Sequence, residues 1–518
     1  MNSQEFREFA KAAIDFVADY LDNIRDRQVL PSVEPGYLHN LLPEELPQDS
    51  EDWKTCMDDL NKFIMPGITH WQSPNFHAYY PTQTSFPSIV GEILSAGLGV
   101  VGFSWICSPA CTELEVIMMN WLGKFINLPD CFLNSGQGNG GGVIQGSASE
   151  SVLVAILTAR ETAVRRVKQI FPKMTESEIR AKLVGYSSDQ SNSCVEKGGI
   201  LGAVPLRLLP ADENCILQGE TLKKAIQEDI SKGFIPCICI ATMGTTGTCA
   251  FDNISSIGKV CHQYDIWLHI DAAYAGSFFC LPEYKYLTNG IEKADSINYN
   301  LHKMMLVNSD CSAMWLKNVH NVVESFNVDR IYLMHQYQQQ NVAPDYRHYQ
   351  IALGRRFKAL KVWFTLRTYG AEKIRDKLRK HIQLAELFEK KLLTDPRFEV
   401  VFSAKFGLVI FRLKGPDERT DKLLKNLNES KNLYMVPATW NKKLVLRFVI
   451  CGLDPEPKDI DYAFEEIQKQ TDPIIASKKK PIEKRKEIEE NDSCMLNLST
   501  GKKRKLIEAT NDLKLEVQ

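Results

Sequence analysis

The sequence predicts an α/β protein organised around a mostly parallel sheet, and three observations predict it. Short β-rich runs alternate with amphipathic helical stretches through the middle of the 518-residue chain, the pattern of strands covered by helices on both faces. Small polar or charged residues follow those runs directly, where open parallel sheets hold their ligands. Hydrophobic residues make up 44% and charged residues 24%, an ordinary globular composition that excludes a mostly disordered chain or a collagen.

Residues 1–85 read as a helical, proline-rich region. Phe6, Phe9, Ala13, Phe16, Val17 and Tyr20 share one helical face, and Asn2 or Ser3 is placed to cap the helix. Such a face docks on the protein's own body or on a second subunit. In residues 86–377, the runs 235–242 (IPCICIAT), 266–270 (IWLHI) and 296–300 (SINYN) read as strands, and 149–168 and 254–264 as helices. Cys237 and Cys239 alternate and are expected on one strand face as small buried hydrophobes. Residues 378–475 read as a small α+β domain: a long helix, then the runs FEVVF, LVIFRL, NLYMVP and LVLRFVI with a helix near 421–428. Residues 476–518 form a highly charged tail expected to be solvated or disordered, and its run 502–505 (KKRK) reads as a solvated charge cluster rather than a nuclear signal.

With 62 Lys plus Arg against 64 Asp plus Glu, the net charge of −2 lacks the basic footprint of a nucleic-acid binder. The most apolar stretch, 88–111, is interrupted by Glu92, glycines, Ser104 and Pro109, so no membrane span is expected. The charged N-terminus lacks the apolar run of a signal peptide. Fourteen cysteines without such a signal read as reduced thiols in a cytoplasmic protein, and no His/Cys cluster has zinc spacing.

Four features at predicted strand ends form one set. Asp271 follows 266–270, Lys303 follows 296–300, the loop 243–248 (MGTTGT) follows 235–242, and 140–151 (GGGVIQGSASES) runs into a helix. Alone, each has a bland reading as a turn, a cap or a solvated charge. Together they match what pyridoxal 5′-phosphate requires. Ser147, Ala148 and Ser149 supply free N–H groups at a helix start for the phosphate. Asp271 faces the pyridine nitrogen, and Lys303 takes the aldehyde as a Schiff base. Thr246 reaches the cofactor from a third strand end.

With these residues in view, the sequence resembles the aromatic-L-amino-acid decarboxylases, the group II pyridoxal-phosphate decarboxylases. The likeness rests on GFSWICSPACTELE (102–115), GGGVIQGSASES (140–151), HIDAAYAG (269–276), NLHK (300–303), FNVDRIYL (326–333) and DYRHYQIALGRRF (345–357), and covers roughly residues 1–475. The resemblance implies the fold-type I pyridoxal-phosphate fold and an obligate homodimer whose site spans the interface. It implies Lys303 as the Schiff-base lysine, Asp271 as the ring-nitrogen partner, Ala148, Ser149 and Asn300 around the phosphate with His302 near it, and Thr246 and Ala273 against the ring. It places Trp71, Tyr79, Tyr80, Pro81 and Thr82 around the aromatic substrate, with Phe103 joining from the neighbouring subunit. Tyr332 is placed on a loop that closes over the site.

One position departs from the amine-forming members. Where they carry a His against the ring, this chain has Asn192, in YSSDQSNSCVEK. Asn has neither an aromatic face nor a proton that titrates near neutrality. After CO2 leaves, protonation at Cα gives an amine, whereas reaction with O2 as co-substrate and hydrolysis give an aldehyde, ammonia and hydrogen peroxide. The Asn192 form resembles the insect 3,4-dihydroxyphenylacetaldehyde synthases. That resemblance implies L-DOPA as substrate and a catechol aldehyde used in cuticle cross-linking, with amine as a minor product because Tyr332 is retained. The competing readings are an ordinary decarboxylase making dopamine or serotonin, a decarboxylase of histidine or glutamate, and an inactive binding homologue. Intact Asp271, Lys303 and Tyr332 weigh against the last.

Overall fold

Seven strands form the central sheet: β1 (Gly141–Gln145), β2 (Leu183–Ser188), β3 (Leu206–Leu209), β4 (Ile235–Thr242), β5 (Trp267–Asp271), β6 (Ser296–Asn300) and β7 (Ser312–Leu316). Their order is β1-β7-β6-β5-β4-β2-β3. Only β7 runs antiparallel to its neighbours; the pairs β6–β5, β5–β4, β4–β2 and β2–β3 are parallel. The computed structural model describes residues 1–136, 138–328, 330–334 and 343–476. Contacts divide the chain into the units Met1–Ile474 and Ile475–Gln518. The charged stretch from residue 477, with its run 502–505, lies outside the described residues.

The mostly parallel sheet follows from burial. Strands β1, β2, β5, β6 and β7 are buried along their whole length, and β4 at every residue after the first. Apolar residues without alternation on such strands need helices on both faces. One expectation fails here. Cys237 and Cys239 do not share a face: Cys237 packs with Ile238 and Ile240 in one core cluster, Cys239 with Ala241 in the other. The pairing of β2 with β4 slips between Val184 and Gly185, skipping Cys237. An extra residue beside Pro236, which has no N–H for the ladder, breaks the period of two.

The second sheet, β8 (Phe398–Lys405), β9 (Leu408–Leu413), β10 (Val436–Trp440) and β11 (Lys443–Val449), is antiparallel in the order β10-β11-β9-β8. The segment NLYMVP enters its strand only at Val436. Before it, Tyr434 donates its N–H to the Asn75 carbonyl and accepts from the His77 N–H. The amide of Asn428 holds both backbone groups of Met435. Those bonds tie residues 75–77 to the small sheet and fix where Tyr79 and Tyr80 begin. The long helix starts earlier than expected, at Lys358, and Gly370 breaks its course at φ 69°, a left-handed value that glycine adopts without steric cost.

At the N-terminus, Asn2 is the cap: its side chain accepts from the Gln4 and Glu5 N–H groups, and Glu5 accepts from the Asn2 N–H, a reciprocal capping box. The helix Ser3–Asp22 contains no buried residue. It stacks Phe9 on Trp53 and bonds the Tyr20 hydroxyl to His70, while Phe6 and Ile14 stay exposed.

Candidate active site

All four features that the sequence singled out converge on the carboxyl edge of the central sheet. They line a cavity of about 150 Å³ together with Tyr80, Ser147, Cys194, Thr242, Gly244 and Tyr274. β1 ends at Gln145, and the chain turns through Gly146 and Ser147 into the helix Ala148–Ile170. The Ser147 hydroxyl caps that helix by accepting from the Glu150 N–H. The N–H groups of a first turn have no partner within the helix, so Ala148 and Ser149 present donors and a positive dipole end to the cavity.

β5 delivers Asp271 at its last residue, 3% exposed. One carboxylate oxygen accepts from the Ala273 N–H at 2.9 Å, and this fixes the side chain against the turn. β6 delivers Asn300, whose N–H bonds the Ala273 carbonyl. The next turn carries Lys303, half-buried with its ammonium position 5.3 Å from the centre of the Tyr80 ring. Burial pushes the Lys303 amine below the ordinary lysine range, and the Asp271 carboxylate offsets part of this.

β4 ends at Thr242 and leads into a hairpin held by Asp252. Its two oxygens accept the Thr242 N–H at 2.7 Å and the Leu217 N–H at 2.8 Å. Gly244 turns this hairpin at φ +89°, and Thr245 bonds back to the Ala250 N–H. Burial lifts the Asp252 carboxyl to about 7. A raised carboxyl makes the ionised folded state costly, so stability falls as pH rises from the unfolded carboxyl value of about 4 to about 7. Asp252→Ala leaves two buried N–H groups unpaired and should cost about 1–3 kcal/mol for each. Thermal melts between pH 4 and 7 should show that loss, and the variant's melts should have a shallower slope than the wild type's, with the raised Asp295 carboxyl still contributing.

Asn192 follows β2 and caps the helix Ser193–Leu201. Its carbonyl accepts the Cys194 N–H at 3.0 Å, and its amide donates to the Thr246 hydroxyl at 3.0 Å. Both ends of the side chain are thus engaged at the cavity wall. Burial raises the neighbouring Cys194 thiol to about 12, so it stays protonated.

The structure divides the expected aromatic wall. Tyr80 lines the cavity, stacks on Tyr274 with ring centres 3.7 Å apart and donates to the Thr245 carbonyl. Tyr79 adopts φ 56° and turns away into a cluster with Trp71 and Tyr434, its hydroxyl 3.0 Å from that of Tyr434. Pro81 is buried and Thr82 bonds the Ser309 hydroxyl; neither lines this cavity. Phe103 is half-buried away from it, its carbonyl bonded to the Arg347 N–H. His302 also lies outside the cavity wall. Its Nδ1 accepts the Cys311 N–H, and burial together with the Lys303 charge lowers the imidazole to about 4, so it is neutral. Tyr332 is 76% exposed.

Three wall residues, Thr242, Cys194 and Tyr274, and one residue behind the wall, Arg447, escaped the sequence reading. Thr242 is the last residue of β4, so the strand-end rule contained its signal; Cys194 and Tyr274 sit beside residues already singled out. Arg447 carried no such signal. It comes from β11, is 3% exposed, holds the Tyr79 carbonyl and places its guanidinium 5.0 Å from the Tyr80 ring centre. Its charge also contributes to lowering Lys303.

This donor set fits pyridoxal 5′-phosphate on the structure's own terms. An amine, a carboxylate and a helix N-terminus line one cavity, and two buried oxygens of the wall, Asn300 Oδ1 and Thr242 Oγ1, have no protein partner among the described residues. The sequence profile of the pyridoxal-dependent decarboxylase conserved domain matches residues 35–414. The chain belongs to this family. It is 62% identical over 475 residues to a 3,4-dihydroxyphenylacetaldehyde synthase of Aedes aegypti, covering 92% of this chain and 91% of the relative. A protein of the same name from Drosophila melanogaster is 59% identical, covering 91% and 92%. An aromatic-L-amino-acid decarboxylase of Manduca sexta is 52% identical, covering 92% and 94%. Among solved structures, Oryza sativa TDC with pyridoxal phosphate and tryptamine superposes with a TM-score of 0.88 at 33% identity, covering 92% of this chain and 99% of the other. The fold is therefore the fold-type I decarboxylase fold, and the protein is a pyridoxal-phosphate enzyme.

Proposed function

We propose that the protein converts L-DOPA, O2 and water to 3,4-dihydroxyphenylacetaldehyde, CO2, ammonia and hydrogen peroxide. The observation that carries this reading is Asn192. It sits in the wall between Thr246 and Cys194, where an amine-forming site would present an imidazole, and the relatives at 62% and 59% identity are named for the aldehyde.

Bound pyridoxal 5′-phosphate would supply the electron sink that accepts the bonding pair as CO2 leaves. The chain's own residues do the rest. Ala148 and Ser149 receive the phosphate on helix N–H groups, and the carboxylate of Asp271 is held to face the ring nitrogen. Desolvation lowers the Lys303 amine below the ordinary lysine range, which favours its neutral, nucleophilic form. Asn192 has no titrating proton near neutrality, so it gives no acid assistance at Cα and leaves O2 to compete. Tyr332 remains the proton donor for a minor amine product. Tyr332→Phe should therefore lower dopamine about tenfold or more with CO2 release maintained, measured by chromatography of the products; undiminished dopamine would exclude this role.

The protein acts as a homodimer in this reading. The helix Phe86–Leu98 exposes Phe86, Val90, Ile93, Leu94 and Leu98, an apolar face of the kind subunits bury, and in this reading Phe103 serves the partner's site. Every described cysteine is unpaired, in keeping with a cytoplasmic setting. Among the described residues no helix is long and apolar enough to cross a membrane. Incubation with L-DOPA in air, followed by chromatography, tests the reading. Aldehyde as the main product supports it; dopamine as the main product overturns it.

A further inference from the structure

A chain of buried polar groups runs along the sheet behind Asp271. His269 lies two residues before Asp271 on β5 and so shares its face. It is fully buried. Its Nδ1 is 2.8 Å from Ser296 Oγ and its Nε2 is 2.9 Å from Asn298 Oδ1. Ser296 Oγ also accepts from the Trp267 indole N–H at 2.9 Å. On β6, Asn298 is the register partner of Asp271.

Donor counting fixes the direction of this chain. The indole N–H can only donate and the Asn298 carbonyl oxygen can only accept. Nε2 therefore carries a hydrogen. Burial lowers the imidazole to about 4, so it is neutral and Nδ1 is bare. Ser296 must then donate its single hydroxyl proton to Nδ1. The sequence of donors is Trp267 to Ser296 to His269 to Asn298. The Asn298 amide is spent at its oxygen only: its nitrogen, buried beside Asp271, has no partner among the described residues.

We propose that His269 is a positioning residue for Asp271. It holds the Asn298 amide with its N–H dipole unspent beside the carboxylate, and brings no competing charge of its own. The Asn298 amide held in this way flanks the Asp271 side chain as its register partner, and a carboxylate held steadily toward a pyridine nitrogen is what keeps that nitrogen protonated. This role rests on Asp271 being the ring-nitrogen partner.

The test is nitrogen-15 NMR of holoenzyme loaded with ring-labelled pyridoxal phosphate, with cofactor dissociation constants measured by fluorescence titration. His269→Leu should move the ring-nitrogen resonance toward the deprotonated value and weaken cofactor binding about tenfold. His269→Gln, whose carbonyl accepts from Ser296 and whose amide donates to Asn298, should restore both. Ser296→Ala removes only the hydroxyl that locks the tautomer and should shift the resonance in the same direction; it decides the matter if His269→Leu does not fold. Wild-type resonance and affinity in folded His269→Leu, or in Ser296→Ala when His269→Leu does not fold, would overturn the proposal. Asp271→Asn run alongside separates the two ideas: a shift there without one in the His269 or Ser296 variants defeats the relay alone, and no shift in any of them defeats the role of Asp271.

Discussion

Lys303→Ala should lower L-DOPA turnover by about a thousandfold or more, the loss expected when a nucleophile and proton carrier is removed at once. Lys303 is the only amine in the cavity wall among the described residues, and it shares that wall with Asp271. Its depressed pKa also carries a stability sign. A lysine lowered on folding binds fewer protons folded than unfolded. Its burial cost is fully present below the depressed value and disappears as pH rises toward that of free lysine. Alanine removes the cost, so the variant should remain folded by circular dichroism at neutral pH while losing activity. Residual turnover within tenfold of wild type would contradict the role.

Asn192→His should raise the ratio of dopamine to aldehyde about tenfold or more, since ~1.4 kcal/mol between two competing barriers changes their partition tenfold. An imidazole restores a proton that titrates near neutral pH. It also gives up the present anchoring, in which Asn192 caps the helix Ser193–Leu201 and donates to Thr246. Loss of an N-cap costs about 0.5–2 kcal/mol, so the variant should melt at lower temperature as its product ratio shifts. An unchanged ratio would show that the group beside the ring does not govern product choice.

The cofactor set was legible because it follows a rule of topology. In a parallel sheet the strand ends converge on one edge, so Asp271, Lys303, Thr246 and the 147–149 turn had to lie near one another once their strands were recognised. Tyr80 and Tyr79 were not separable in this way. Adjacent in sequence, they part because Tyr79 takes a left-handed backbone conformation, and no propensity signals that for a tyrosine. Arg447 was hidden because its place depends on how the small sheet docks on residues 75–79 through long-range backbone bonds. Cys237 was misplaced because a bulge at Pro236 shifts the strand period by one residue. His269 stood inside a quoted motif, but its role becomes visible only when β6 brings Ser296 and Asn298 alongside.

The most direct test of the central claim is to measure O2 consumed and CO2 released in the same L-DOPA reaction. An Asn192 site that lets O2 compete with protonation predicts close to one O2 per CO2, with peroxide appearing in step. CO2 release without oxygen uptake would contradict the account and make the protein an amine-forming decarboxylase.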